Sequence, residues 1–185
     1  MFFLNSRKLA DPMTIHIYTF VGGESHSAFR LRKLNQSLNN ETSVSKVVHV
    51  YVLETERALD SDEISVISQL LQAEQKDLQF SANSAVMLPR IGTISPWSTK
   101  ATDIFKHCGL NAVNRVEAGQ IFSFNNDIVE VPSAIYDRMT EQRITGSSLL
   151  ASLFNHESPK PVTSIDIKNG KSELADLNKS LGLAL

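Results

Sequence analysis

Residues 85–124 read AVMLPRIGTISPWSTKATDIFKHCGLNAVNRVEAGQIFSF. Four apolar residues, Ala85 to Leu88, run into Pro89, which has no N–H for a central ladder, so a short buried strand ends there. A hydroxyl-rich loop follows, and Ser98 or Thr99 offers an N-cap oxygen for a helix reaching Cys108. Ala101, Ile104, Phe105 and Cys108 recur at one-face spacing, which predicts a buried stripe, and Gly109 suits the position just past the helix end. Strands are then expected at Ala112–Glu117 and Gln120–Phe124, with Ala118-Gly119 between them as a tight hairpin.

The N-terminal half repeats this order. Thr14 to Phe20 alternates Ile15 and Ile17 with His16 and Tyr18, a half-buried strand that Gly22-Gly23 breaks. Ser25 or Ser27 caps a helix to about Leu38, which Asn39-Asn40 ends, and Val48, Val50 and Val52 alternate through a strand from Ser45 to Glu54. Asp60-Ser61-Asp62-Glu63 supplies capping and acidic first-turn residues for a helix carrying Ile64, Ile67, Leu70 and Leu71 to about Gln75. In the second half Pro132 stands as the first residue of a helix with Ile135, Tyr136 and Met139. The expected class is α+β: two similar β-α-β-β-α halves around a mainly antiparallel sheet. A single half leaves a sheet face and an edge bare, and a second half covers both.

Outside these halves the pattern changes. Residues 1–12 have no period and end at Asp11-Pro12, so they read as an extension before a main domain at 13–145. Gly146-Ser147-Ser148, a short apolar helix Leu149–Phe154 and the proline-bearing Asn155–Pro161 make 146–162 a linker. In 163–185, a strand over Val162–Ile167 and a helix over Ser172–Leu183, with Leu174, Leu177 and Leu181, read as the start of a further unit. The apolar end Leu183-Ala184-Leu185 leads us to expect that the chain continues.

Composition narrows the function classes. Among 185 residues, 18 Lys and Arg against 20 Asp and Glu leave a net charge of -2, which gives no field for a nucleic-acid backbone. Arg30, Arg32 and Lys33 lie on a helix whose apolar face is Ala28, Leu31, Leu34 and Leu38, and they read as a solvated face. Apolar runs stop far short of the roughly 20 residues of a membrane helix, so no membrane partner is expected. The single cysteine, Cys108, excludes an internal disulfide and fits a reducing compartment, the cytoplasm. It reads as a small buried side chain, because a helix C-terminus disfavours thiolate. The histidines at 16, 26, 49, 107 and 156 form no paired ligand motif, so no metal site is expected.

The chemistry-bearing stretch is Pro89 to Ile104. Thr93, Ser95, Ser98 and Thr99, with Arg90, Lys100 and Gly92, lie between a strand end and a helix start. Free backbone N–H groups and the positive end of the helix dipole meet there, an arrangement that holds anions. It is not a phosphate-binding Walker loop, since Thr99 rather than glycine precedes Lys100. Ser98 and Thr99 serve equally as plain caps and Trp97 as a core anchor. No catalytic residue is assigned.

This stretch, with Cys108-Gly109-Leu110 and Val113-Asn114-Arg115-Val116-Glu117 after it, resembles the N-terminal region of the large formylglycinamide ribonucleotide amidotransferases, the phosphoribosylformylglycinamidine synthases. Weaker likeness extends to Ser27–Arg30, Asp137–Met139, Pro161–Ser164 and Leu181–Leu185. The resemblance implies a fold similar to a fused dimer of the small PurS subunit. It also implies a ligase of purine synthesis that uses ATP, magnesium and glutamine-derived ammonia to convert formylglycinamide ribonucleotide to its amidine. The synthetase and glutaminase domains come later in that family, so this domain is expected to hold no cofactor, to be inactive alone and to have those domains as partners. Cys108 lacks the surroundings of the glutaminase nucleophile. Arg90, Thr93, Ser95, Trp97, Ser98 and Lys100 are expected to face substrate or a neighbouring domain. A competing reading is a stand-alone ferredoxin-like module binding a small phosphorylated effector.

Overall fold

Two strands of twelve residues, β2 (Val44–Thr55) and β5 (Val113–Phe124), pair antiparallel along their whole length and form the centre of the molecule. The computed structural model describes residues 15–38, 42–155, 174–175 and 178–179. The other elements are β1 (His16–Glu24), α1 (Ala28–Ser37), α2 (Ser61–Leu71), β3 (Ala73–Gln75), β4 (Ser84–Pro89), α3 (Pro96–His107), a 3-10 turn at Ser133–Ile135, β6 (Glu141–Ile144) and α4 (Ser147–Ser152). All six strands join one antiparallel sheet in the order β3-β1-β2-β5-β4-β6. The α+β class expected from the sequence is the class observed. Among the described residues no helix is long and apolar enough to cross a membrane.

Register sorts the side chains, because directly paired residues share a face. The rows Tyr18–Leu53–Val116, Phe20–Tyr51–Ala118, His49–Gln120–Met87 and Val47–Phe122–Ala85 lie on the face that carries α1, α2 and α3. One core there gathers Phe20, Leu53, Ile67, Phe105 and Val116 under α2 and α3. A second gathers Val47, Met87, Phe122, Phe124 and Leu38 beneath α1 and the turn at 133–135. The opposite face, with Val50, Val52, Val86, Leu88 and Ile144, is covered by Leu78, Phe80 and α4.

The helix starts follow local chemistry. Asp60 accepts from the Glu63 N–H at 2.8 Å and the Glu63 carboxylate accepts from the Asp60 N–H at 3.1 Å, closing the capping box read at that site. Glu63 also takes a bidentate fork from Arg57 at 2.7 and 2.8 Å. That hydrogen-bonded guanidinium holds the Glu63 carboxyl below its ordinary value.

Several expectations are corrected. The hairpin at Ala118-Gly119 does not exist: both residues lie inside β5, opposite Tyr51 and Val50. Gly119 is there because β4 crosses close above it, and an added Cβ would lie 2.1 Å from the Met87 carbonyl oxygen and 2.6 Å from Leu88 Cδ2. The strand from Thr14 is not broken by Gly22-Gly23: β1 runs through them to Glu24, with a register shift between Val21 and Glu24. α2 stops at Leu71, since Gln72 turns left-handed at φ 50° and Ala73–Gln75 then pairs with β1. The helix expected after Pro132 is only the three-residue turn, and the strand β6 follows it. The observed order is β1-α1-β2-α2-β3, then β4-α3-β5, the 3-10 turn, β6 and α4, rather than two runs of β-α-β-β-α. α3 begins at Pro96 with Ser95 as its cap, not Ser98 or Thr99. Its buried face is Ser98, Ala101, Thr102 and Phe105, so Ile104 is 54% exposed and Cys108 is exposed rather than buried. The short apolar helix lies at Ser147–Ser152. Residues 1–12, the turn at Asn39-Asn40, the strand expected at 162–167 and most of 172–183 lie outside the described residues.

Gly119→Ala is expected to force β4 off β5 and to lower the unfolding free energy by at least about 2 kcal/mol in urea titrations.

Candidate functional site

β4 pairs with β5 only across Gln120–Ser123, so the edge of β5 from Val113 to Gly119 is left without a strand partner on that side. The Pro89–Ser95 loop and α3 take that place: the Thr102 hydroxyl accepts from the Val116 N–H at 3.3 Å, and Glu117 reaches the start of α3. Glu117 is fully buried, and its carboxylate accepts four hydrogen bonds. The Ser95 hydroxyl donates at 2.7 Å and the Ser95 N–H at 3.3 Å, while Arg115 donates through Nε at 3.0 Å and Nη2 at 2.5 Å. Arg115 also donates to the Thr93 carbonyl and lies 5.3 Å from the centroid of the Phe154 ring.

The N-terminus of α3, which the sequence offered to an external anion, is thus supplied with a carboxylate by the chain itself. Ser95 donates to that carboxylate while its oxygen accepts from the Ser98 N–H at 3.0 Å. Ser98 is buried at the base of α3. Thr93 closes the loop by donating to the Arg90 carbonyl at 2.6 Å. Arg90 reaches across to the Arg138 carbonyl at 3.0 Å, and Lys100 is exposed without an ion pair among the described residues. The expected set divides accordingly. Thr93, Ser95 and Trp97 line one cleft, Ser98 lines a separate depression with Thr102 and Arg115, and Arg90 and Lys100 stand outside both.

The cleft has a volume of about 420 Å³ and is closed by Pro89, Ile94, Met139 and Glu141 with Ala118 at its floor. Ile94, Trp97 and Met139 are 52%, 41% and 80% exposed, so its rim is apolar and open to solvent. Trp97 is not free to swing: it stacks on Tyr51 with centroids 5.7 Å apart, and Tyr51 stacks on His49 at 6.2 Å. Burial raises the Tyr51 hydroxyl above its ordinary pKa. Below α1, His26 is pushed below the ordinary imidazole value by burial first, then by the charge of Arg30, with His49 adding to it.

Sequence reasoning missed Glu117 and Arg115 as structural residues. The signal was present, as two charged residues alternating with Val116 and Ala118 along a strand otherwise rich in buried side chains.

These features define a mixed domain in which one antiparallel sheet carries its helices mainly on one face and presents a cleft with an apolar rim at a helix start. Residues 48–154, more than half of the chain, match the family model described as formylglycinamide ribonucleotide amidotransferase N-terminal, and the chain belongs to that family. This membership ties it to the amidotransferase of purine biosynthesis.

Glu117→Gln is expected to leave Arg115 buried without its counter-charge and to destabilise the domain by about 3–5 kcal/mol. Replacing both, Arg115→Met with Glu117→Leu, is expected to cost less than the single change, measured as a double-mutant cycle by chemical denaturation.

Proposed function

We propose that this domain is a non-catalytic brace within an ATP- and glutamine-dependent ligase that converts formylglycinamide ribonucleotide to its amidine. It docks on the synthetase and glutaminase domains and helps shield ammonia passing between them. ATP and magnesium are bound by the synthetase, the enzyme works in the cytoplasm, and the chain by itself is inactive. The Pro89–Lys100 loop is the docking element: Trp97 enters a neighbouring domain as a wedge, and Arg90, Thr93, Ser95, Ser98 and Lys100 lie near substrate or that domain.

The observation that carries this reading is the cleft rim. Exposed Ile94, Trp97 and Met139 surround a concave surface whose backbone is fixed by the buried Glu117, and an exposed aromatic on a rigid support is what a docking hot spot needs. Family membership supports the reading by tying the domain to the amidotransferase of purine biosynthesis.

We also read the sheet as two fused copies of one unit. The capping residues Ser27 and Ser95 stand 68 residues apart, as do the first residues of β1 and β4, of α1 and α3, and of β3 and β6. The strand order also stays the same when β1, β2 and β3 are exchanged for β4, β5 and β6.

The test is Trp97→Ala in the enzyme carrying this domain. More glutamine is expected to be hydrolysed per amidine formed, at least severalfold, with the isolated domain keeping its thermal midpoint within a few degrees. An unchanged ratio would reduce Trp97 to packing and remove the docking role.

A further inference from the structure

We propose that the cavity between α1 and the Ser133–Ile135 turn is a binding site for a small phosphate monoester. The cavity measures about 370 Å³, within the range of small-molecule sites. His26, Arg30, Lys33 and Gln120 line it together with Leu34, Phe122 and Ile135, and no carboxylate lines it.

The polar lining is organised for an anion. Neither Arg30 nor Lys33 has an ion-pair partner among the described residues, so both charges are available. Gln120 Nε2 donates to Ser25 Oγ at 3.2 Å, and Ser25 Oγ lies 2.9 Å from His26 Nδ1. His26 is 8% exposed, with its ring T-shaped to Phe122 at 6.1 Å between centroids, so the imidazole is held in place. A guanidinium, an ammonium and an imidazole suit the several oxygens of a phosphate, which carries close to two charges near neutral pH. Leu34, Phe122 and Ile135 then take the organic part of the molecule.

The other half of the domain indicates why the space exists. Sixty-eight residues after Lys33 and Ser37, both at this cavity, stand Ala101 and Phe105, which are buried in the core under α2. There α2, eleven residues long with Ile67 fully buried, fills the groove beside α3. Beside α1 the covering element is a three-residue turn, and the exposed groove wall carries an ammonium and a hydroxyl instead of a methyl and a phenyl group. A groove meant only to be closed would be apolar. This one is open, basic and backed by a hydrogen-bond chain from Gln120 through Ser25 to His26.

The site is distinct from the docking cleft, so its failure would leave the brace role untouched. The full chain is titrated with phenyl phosphate, ribose 5-phosphate and inorganic phosphate, followed by calorimetry and by amide and imidazole NMR signals. Saturable shifts are expected at His26, Arg30, Lys33 and Gln120, with either monoester binding more tightly than inorganic phosphate. Arg30→Ala with Lys33→Ala changes two exposed residues, so the fold is expected to persist, and monoester binding is expected to weaken at least about tenfold. Absence of saturable shifts, equal binding by the double variant, or inorganic phosphate binding as tightly as the monoesters would each overturn the proposal.

Discussion

A carboxylate taken completely out of water must find donors for all its oxygens, and Glu117 finds four at the point where α3 meets β5. Two come from Ser95, the residue that caps α3, and two from Arg115, two positions away on the same strand face. One buried side chain therefore fixes the start of a helix, the end of a loop and the edge of a sheet together. Because Arg115 also holds the Thr93 carbonyl and faces Phe154, the same node ties the loop to the layer behind the sheet. The net energy of such a pair is small against its desolvation, and its consequence is geometric: the loop has one place to be.

That geometry follows from the divergence of β4. Over Gly119 the two strands approach too closely for any side chain, and beyond it they separate. The free edge of β5 is an exposed row of hydrogen-bonding groups, which proteins ordinarily cover. Here the loop and α3 do so, through Thr102 on the Val116 N–H and Ser95 on Glu117. Covering an edge with a loop rather than a strand leaves irregular, partly apolar surface, and Ile94, Trp97 and Met139 are that surface. The stack of Trp97 on Tyr51 connects it to the floor of the sheet.

Much of the framework was legible in the sequence. The alternation of Val48, Val50 and Val52 placed β2, and Asp60 with Glu63 placed the start of α2, because these signals are local. The family resemblance rested on the Pro89–Ile104 motif and agrees with the family match over 48–154. What escaped was decided by distant partners. Ala118-Gly119 has turn composition, yet twelve residues of β2 opposite it make it strand. Ser98 has cap chemistry, but Ser95 is the residue that Glu117 can reach. β3 and β6 are too short to show a period and exist through pairing with β1 and β4. Cys108 shares the helical spacing of Ala101, Ile104 and Phe105, whereas packing turns Ser98, Ala101, Thr102 and Phe105 inward. Of the expected loop residues, Thr93, Ser95 and Trp97 share one cleft, and the others serve as braces or stand in solvent. Nothing local distinguished these groups.

Amide hydrogen exchange at Ser95 and Ser98 tests the central claim most directly. If the buried carboxylate of Glu117 fixes the loop, both amides exchange at rates comparable to those in the middle of β5. Exchange at the rate of an unstructured chain, with β5 still protected, would mean that the loop is not held, and the account of the cleft as a rigid surface would be contradicted.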